Sequence, residues 1–574
     1  MGSEQSTLQK NGYIPEKETE HHAVATKGDE KFSIIKISFK TSDYVDPAVT
    51  SEIKILKETH HSHIVSFKNS FQEGKIYYVV MDYCQGGSLA SKIRQIPCPK
   101  ESEVLSWIVE ISMALRTMHK NGLIHKHLTP ENVLLTEYGT VRLGESGKIY
   151  ESSKQTQPKT GSDRFENINF LAPEVFTDGM YDDKSDIWSV GCILYELCTQ
   201  HSPFSAETSI KLIPKIIGAP YPPLPEHFSP ELCELLSDIL NKNPQSRPTA
   251  SEILERPIMI RCLLEKSKDA VKDLQTKLDN LRKVADGLER VHQGTTIGSL
   301  AGGVIGAAGG ITSIVGLILA PFTLGASLIV TGVGVGVGVA GGLTAGASNI
   351  TNMVNQSSDR KAVRSIIKEF EERINAIVTW LQEITIILEA IQGRCDSADT
   401  LDNEGSQLNE GNLSRISSRA GRGLGGIAEL IRLVQVMNIG RIAAQTSRAV
   451  RVAEVATGVF SGLFLAVDIF FIAMDARELH RIRQAKAAGE GGAPSLSQTE
   501  TDNVTSTSDR DALVASSIMQ EVTPQPQNQA SQNDTQIRSE IMKFVRSIRQ
   551  AADELQRVLD ELERIITSIP SLQY

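Results

Sequence analysis

Side chains suited to chemistry fall in a few places along this 574-residue chain. His60, His61 and His63 sit together in THHSHIV and by composition resemble a metal cluster. Asp468 interrupts a spanning-length apolar run, Val455 to Met474, in which Gly458 and Gly462 stand four apart. An ionisable group in such a run is costly and usually functional, and a protonated carboxyl at acid pH is cheaper to bury. Gly2, in MGSEQS, fits the N-myristoylation pattern with Ser6 in place. One acyl chain anchors only marginally, so stable attachment needs a second signal.

The elements that position these residues are mostly apolar and helical. Thr295 to Asn349 carries no formal charge and breaks at Pro321 into two halves of spanning length. Gly298, Gly302, Gly306 and Gly310 recur every four residues in the first half, and Gly334, Gly338, Gly342 and Gly346 in the second. Each half therefore has one smooth face on which backbones can pack closely. Two readings stand: a membrane-inserting helical hairpin, or a core hairpin of a soluble helical protein. Valine–glycine alternation at Val333–Val339 also fits a strand, but the four-residue spacing continues through it.

Around this stretch run three apolar stripes at coiled-coil spacing: Leu264 to Leu288, Phe370 to Ile391 and Ile541 to Ile566. They predict an internal helical bundle, with self-association through helices 264–288 and 363–391 as the alternative. Leu413 to Val452 is arginine-biased, suited to anionic lipid or to pairing with acidic helices. Residues 485–535 are polar and aperiodic and read as a disordered linker, followed by an amphipathic helix over 536–570.

The net charge of −10 and the lack of a basic, aromatic-interleaved run exclude general nucleic-acid binding. Seven scattered cysteines without metal-ligand spacing suit reduced thiols. The polar N-terminus shows no signal peptide, so the expected location is intracellular, cytoplasmic and membrane-associated.

Residues 13–261, after an N-terminal tail over 1–12, resemble a protein kinase, most closely the NIMA-related family. The motifs come in order: SIIK ending at Lys36, SEIKIL with Glu52, VVMDYCQGGSL with Met81, HKHLTPENVLL with Asn132 and Leu134, LGESG, LAPEVF, KSDIWSVGCILYEL and NPQSRPT. The resemblance implies a two-lobed α+β fold, with Glu174 paired to Arg247 and Asp186 bracing the catalytic loop. It implies Lys36, Glu52, Met81, Asn132 and Leu134 as the nucleotide-binding set, with ATP and Mg²⁺ as weakly held ligands. THHSHIV then becomes a structural turn before the fourth strand, and no metal is expected there.

The chain departs from the kinase pattern where phosphoryl transfer is done. His127 stands at the catalytic aspartate, Thr129 at the lysine two residues on, and Glu145 at the metal-binding aspartate. Glu145 is a methylene too long for a geometry that Mg²⁺ holds tightly. The glycine-rich phosphate loop is replaced by YIPEKETEHHAV, whose Glu16, Glu18 and Glu20 repel ATP. Ile34 stands where most kinases keep an alanine against adenine, and Ser146 replaces a spine phenylalanine. No catalytic residues are expected.

From Leu264 to Leu479 the chain resembles the apolipoprotein L family, most specifically in TLGASLIV after LAPF and in GVFSGLFLAVDIFFIAMDARELH. That resemblance implies lipid binding over 262–480, with Gly302, Gly306, Gly310, Pro321, Gly334, Gly338, Gly342 and Asp468 as membrane-facing candidates. The expected architecture is a kinase-like domain followed by an all-α bundle with a glycine-rich apolar hairpin, 295–349, and a second apolar segment, 455–474. The expected function is a catalytically impaired, kinase-like scaffold tethered to membranes, its partners being membrane lipids and a protein that docks on the kinase-like domain. The alternatives are a weakly active serine/threonine kinase and a soluble lipid-binding or lipid-transport protein.

Overall fold

A computed structural model describes residues 7–28, 30–38, 47–95, 99–144, 168–298, 345–401, 439–489 and 526–569. The expected sites Gly2, Glu145, Gly302, Gly306, Gly310, Pro321, Gly334, Gly338 and Gly342 lie outside these residues, as do Ser146 and most of the 295–349 hairpin. The described chain divides into two compact units, one of 1–270, 375–450 and 563–574, the other of 271–374 and 451–562.

The first unit opens with a short helix, α1 (Thr7–Lys10), and strands β1 (Ile14–Glu18), β2 (His22–Lys27) and β3 (Glu30–Ser38). Helix α2 (Pro47–Glu58) follows, then β4 (Phe67–Glu73) and β5 (Ile76–Asp82). The five strands form one antiparallel sheet in the order β1-β2-β3-β5-β4. Strand β3 is central, paired on both edges and covered on both faces, so Phe32, Ile34, Ile35 and Ile37 are all buried and no apolar alternation survives in its sequence. Helix α1 is part of this fold rather than of a tail. Leu8 is 1% exposed and packs with Tyr13, Phe32, Ile34, Tyr78 and Val80 on one face of the sheet. Phe71 stacks on Tyr78 at 4.9 Å and on Tyr13 at 6.1 Å in the same cluster.

The second lobe is helical: α3 (Leu89–Gln95), α4 (Glu101–Lys120), the short pair β6 (Val133–Leu135) and β7 (Val141–Leu143), then α5 (Pro173–Thr177), α6 (Asp183–Thr199), α7 (Ser209–Gly218), α8 (Pro230–Ile239) and α9 (Ala250–Leu254). Helix α6 is buried nearly all round, as a central helix must be. Its start is set by a capping box in which the Asp182 carboxylate accepts the Ser185 N–H at 3.1 Å and the Ser185 hydroxyl accepts the Asp182 N–H. Gly191 lets α8 approach closely: a Cβ there would lie 2.6 Å from Ile239 Cγ2 and 2.7 Å from Leu240 Cδ2.

Four long helices follow: α10 (Pro257–Gly298), α11 (Ala345–Leu401), α12 (Ile439–Gly489) and α13 (Pro526–Ser568). The three apolar stripes are core faces, with Leu274, Leu278 and Ala285 buried on α10, Phe370, Ile377, Ile384 and Leu388 on α11, and Val545, Leu555 and Leu562 on α13. In the second unit α10 and α13 run antiparallel. Gln275 and Gln556 exchange amide hydrogen bonds of 3.0 and 2.8 Å, and Arg549 pairs with Asp286 at 2.9 Å and with Glu289. Helices α11 and α12 are likewise antiparallel, since Phe370 meets Phe460 while Arg364 meets Asp468. The expected linker is shorter than its composition suggests: residues 485–489 end α12 and 526–535 begin α13, which starts with proline at a position where a missing N–H costs nothing.

Candidate nucleotide and catalytic site

Directly opposite residues of an antiparallel pair lie on the same face of the sheet, and a slip of one residue moves a side chain to the other face. Ser33 is opposite Met81, Ile35 opposite Val79, and Lys36 opposite Tyr78. On the other edge Val24 is opposite Ser33 and His22 opposite Ile35. Met81 is also opposite Phe67, whose ring carries the Lys57 ammonium of α2 at 4.9 Å. The face with Met81, Ser33 and Ile35 is therefore the one that α2 covers, the cleft face.

Lys36 is on the opposite face, with Ile34, Tyr78 and the α1 cluster. This corrects two expectations. The Lys36 ammonium does not reach Glu52; its partners are Glu18 at 2.5 Å and the Thr19 carbonyl at 2.9 Å. Ile34 fills the outer cluster, and the small residue on the adenine side is Ser33. Glu52 itself is buried on α2 with Val49, Ile53 and Leu56, the inward stripe of that helix.

The turn that replaces a phosphate-binding loop is closed by its own bonds. The Thr19 N–H donates to the His22 carbonyl at 2.7 Å, the Thr19 hydroxyl accepts the His22 N–H at 3.0 Å, and the His21 carbonyl accepts the Lys36 N–H at 2.8 Å. A β-bulge between Pro15 and Lys17 precedes it, and Glu16 pairs with Lys31 at 2.8 Å. Burial and the nearby Lys36 charge hold the His22 imidazole below its ordinary value.

The backbone frame of the loop from His125 to Asn132 is braced. Asp186 accepts the His125 and Lys126 N–H groups, each at 2.8 Å, and bonds His119 Nε2 at 2.8 Å and the Tyr181 hydroxyl at 3.1 Å. Lys126 is held there at φ 66°, a left-handed conformation that costs a non-glycine residue about 1–3 kcal/mol. The Asn132 amide donates to the His127 carbonyl at 2.6 Å. His127 thus stands on a backbone held by Asn132, and Thr129 is buried two residues on. Leu134 is half-buried in β6, and Gly144 leaves room for it: a Cβ at Gly144 would lie 3.0 Å from Leu134 Cδ1. Glu174 and Arg247 form the expected two-armed pair, at 2.9 and 3.2 Å. Burial alone would raise the Glu174 carboxyl, but the Arg247 bonds outweigh it and hold it below the usual range.

For the phosphates of ATP the strand residues present do not fit: the lysine expected on them faces away from the cleft and is engaged by Glu18 and the Thr19 carbonyl.

Two charge clusters escaped the sequence. Glu110 of α4 is buried and accepts the Val141 N–H and the Lys266 ammonium, each at 2.8 Å, with His63 Nδ1 3.8 Å away and also bonded to the Val141 carbonyl. Burial alone would raise Glu110, but Lys266 and His63 hold it below the ordinary value. Burial lowers His63 and pushes His61 down to about 3. The histidine triplet is thus a packed turn before β4. The second cluster holds α11: Arg116 of α4 to Glu383 by both guanidinium arms, Ser62 of the turn before β4 to Thr379 at 2.8 Å, and Lys266 of α10 over the Trp380 ring at 4.9 Å. Asp468 meets Arg364 at 2.6 and 2.7 Å, a partner its sequence surroundings did not announce.

A strand-rich lobe, a helical lobe with a buried central helix, a loop braced by an aspartate and a buried glutamate–arginine pair together define a protein kinase fold. The family model for the protein kinase domain matches residues 21–259, and that for apolipoprotein L matches residues 263–491. The chain carries a protein kinase domain followed directly by an apolipoprotein L region. The kinase part is 36% identical over 209 residues to serine/threonine-protein kinase Nek1 of Mus musculus, covering 36% of this chain and 17% of the relative. It is 34% identical over 240 residues to Nek5 of Homo sapiens (41% and 33%) and 36% identical over 219 residues to Nek3 of Mus musculus (37% and 42%). The match thus spans less than half the length of each of these relatives. Among the described residues two helical stretches, Arg364–Gly393 and Ile442–Phe470, are long and apolar enough to cross a membrane.

Proposed function

We propose that this protein is a catalytically impaired protein kinase that serves as a scaffold and is held at membranes by its apolipoprotein L region. The observation that carries the first half is His127. The backbone around it is braced as a kinase loop requires, so the substitution changes chemistry and not architecture. A protein kinase needs a carboxylate there to receive the hydroxyl proton, and an imidazole brings no negative charge to orient that hydroxyl.

The membrane half draws on how differently the two apolar stretches are packed. In Arg364–Gly393, 67% of the apolar window is buried within the protein, which makes it a core helix. In Ile442–Phe470 only 28% is buried, and Val455, Leu465 and Ile469 stand more than half exposed in water. An uncovered apolar face of this length suits a lipid contact, with the uncharged 295–349 stretch as the main anchor. A protein partner docked on the kinase domain, and acylation at Gly2, are further parts of the proposal.

The intact loop frame favours one second reading, a weakly active serine/threonine kinase. Transfer of labelled phosphate from MgATP by the purified full chain separates the two. For the anchor, membranes from cells expressing the full chain, Gly2→Ala, or a chain lacking residues 295–349 are extracted with alkaline carbonate. The full chain and Gly2→Ala stay in the pellet and the deletion is released; release of all three refutes integral attachment.

A further inference from the structure

We propose that Ile35, and not Lys36, is the residue this fold presents where a protein kinase holds the phosphates of its nucleotide, and that the phosphate end of the cleft is closed to ATP for that reason. The inference rests on the reading of an impaired kinase and gives it a specific determinant.

Strand β3 is pinned on both edges. Ile35 pairs with His22 of β2 and Val79 of β5, Ser33 with Val24 and Met81, and the two registers agree. Ile35 is 1% exposed and lies on the face covered by α2, which carries Glu52 on its inward stripe. A kinase lysine at this position would be met by that carboxylate and would offer its ammonium to the phosphates. A butyl side chain offers neither a charge nor a donor.

Lys36 cannot be borrowed for the role. Its ammonium is satisfied by Glu18 and the Thr19 carbonyl, and its N–H is held by His21. Bringing Lys36 to the cleft requires β3 to slip by one residue against both neighbours. That slip would turn Phe32 and Ile34 out of the cluster they share with Leu8, Tyr13 and Tyr78. Both are large, buried apolar side chains, so the register is strongly held. The adjacent turn adds the exposed carboxylate of Glu20 where backbone N–H groups would cradle phosphate.

The test is nucleotide binding by the purified full chain, titrated with MgATP beside Ile35→Lys and Lys36→Met. The wild type and Lys36→Met show no saturable binding, and Ile35→Lys binds at least about tenfold tighter than either, the scale of one charge-assisted contact to phosphate. Saturable binding by the wild type that Lys36→Met abolishes overturns the inference, as does a folded Ile35→Lys chain that gains nothing. Position 35 is buried and a lysine there can prevent folding, so the wild type is also treated with an acyl-phosphate derivative of ATP, which acylates amines beside bound phosphates. Peptide mapping shows no ATP-protected acylation of Lys36; protection by excess ATP overturns the inference. Saturable ATP binding without phosphate transfer would sink this inference alone, whereas transfer by the wild type would sink the impaired-kinase reading itself.

Discussion

Arg116 of α4 and Glu383 of α11 form a two-armed ion pair that fastens a helix of the apolipoprotein L region onto the large lobe of the kinase domain. Glu383 is only 2% exposed, and burial pushes its carboxyl up although Arg116 opposes the shift. The pair is thus a buried charge that needs its partner.

Removing one partner should hurt far more than removing both. Arg116→Ala leaves the Glu383 carboxylate buried without its cation and lowers stability by about 3–5 kcal/mol, while Arg116→Leu with Glu383→Leu recovers most of that loss. Urea denaturation of the single and double variants measures it. Equal stability of Arg116→Ala and the wild type would show that α11 does not rest on α4 in solution.

The pH dependence has a definite sign. His61, His63 and His125 are held neutral in the fold by burial, His61 down to about 3. In the unfolded chain they bind protons below about 6.5, so the unfolded state binds more protons and stability falls as pH drops below that value. Glu383, raised by burial, acts in the opposite sense, gaining stability as pH falls through its raised value, while Glu110 and Glu174, held low, add their losses only at more acid pH. The melting temperature should therefore fall between pH 7 and 5, and less steeply in His61→Asn. A flat profile over that range would count against the buried-histidine turn.

Much of this organisation could be read from residue order alone. The Glu174–Arg247 pair, the Asp186 brace and the buried stripes of α10, α11 and α13 all follow from motifs or spacing. The motif points to Lys36 as the strand lysine, one residue from the cleft-facing Ile35, for a physical reason. FSIIKIS is buried on both faces, so its sequence has no alternation to show which parity faces the cleft; only pairing with β2 and β5 decides it. Arg116 and Glu383 lie 267 residues apart, and no local pattern marks either as the other's partner. The outward-facing Lys36 likewise gains Glu18 from a turn whose shape depends on a bulge.

Close packing of α6 on α8 predicts that Gly191→Ala, which forces a methyl into Ile239 and Leu240, destabilises by about 1–3 kcal/mol. Gly393→Ala, with open space around its Cβ, is the matched control. Thermal unfolding of the two variants should separate them clearly; similar melting temperatures would mean the helices have room to part.

Asp468 makes a prediction about membranes. Its carboxylate holds Arg364 at 2.6 Å, so inserting this part of α12 into lipid requires the pair to be broken. Protonation removes the charge and lowers the cost of burial, so leakage of anionic vesicles caused by the protein should rise toward acid pH and lose much of that dependence in Asp468→Asn. Leakage with the same pH profile in both proteins would assign the pH response elsewhere.

The most direct test of the account is transfer of labelled phosphate from MgATP by the purified full chain to itself and to a generic protein substrate, beside Asn132→Ala, which removes the bond to the His127 carbonyl. Incorporation by the wild type is expected to be no greater than by the variant, and His127→Asp alone is expected not to restore it, because Ile35 still faces the phosphate site. Incorporation by the wild type that disappears in Asn132→Ala would contradict the account and establish the chain as an active kinase.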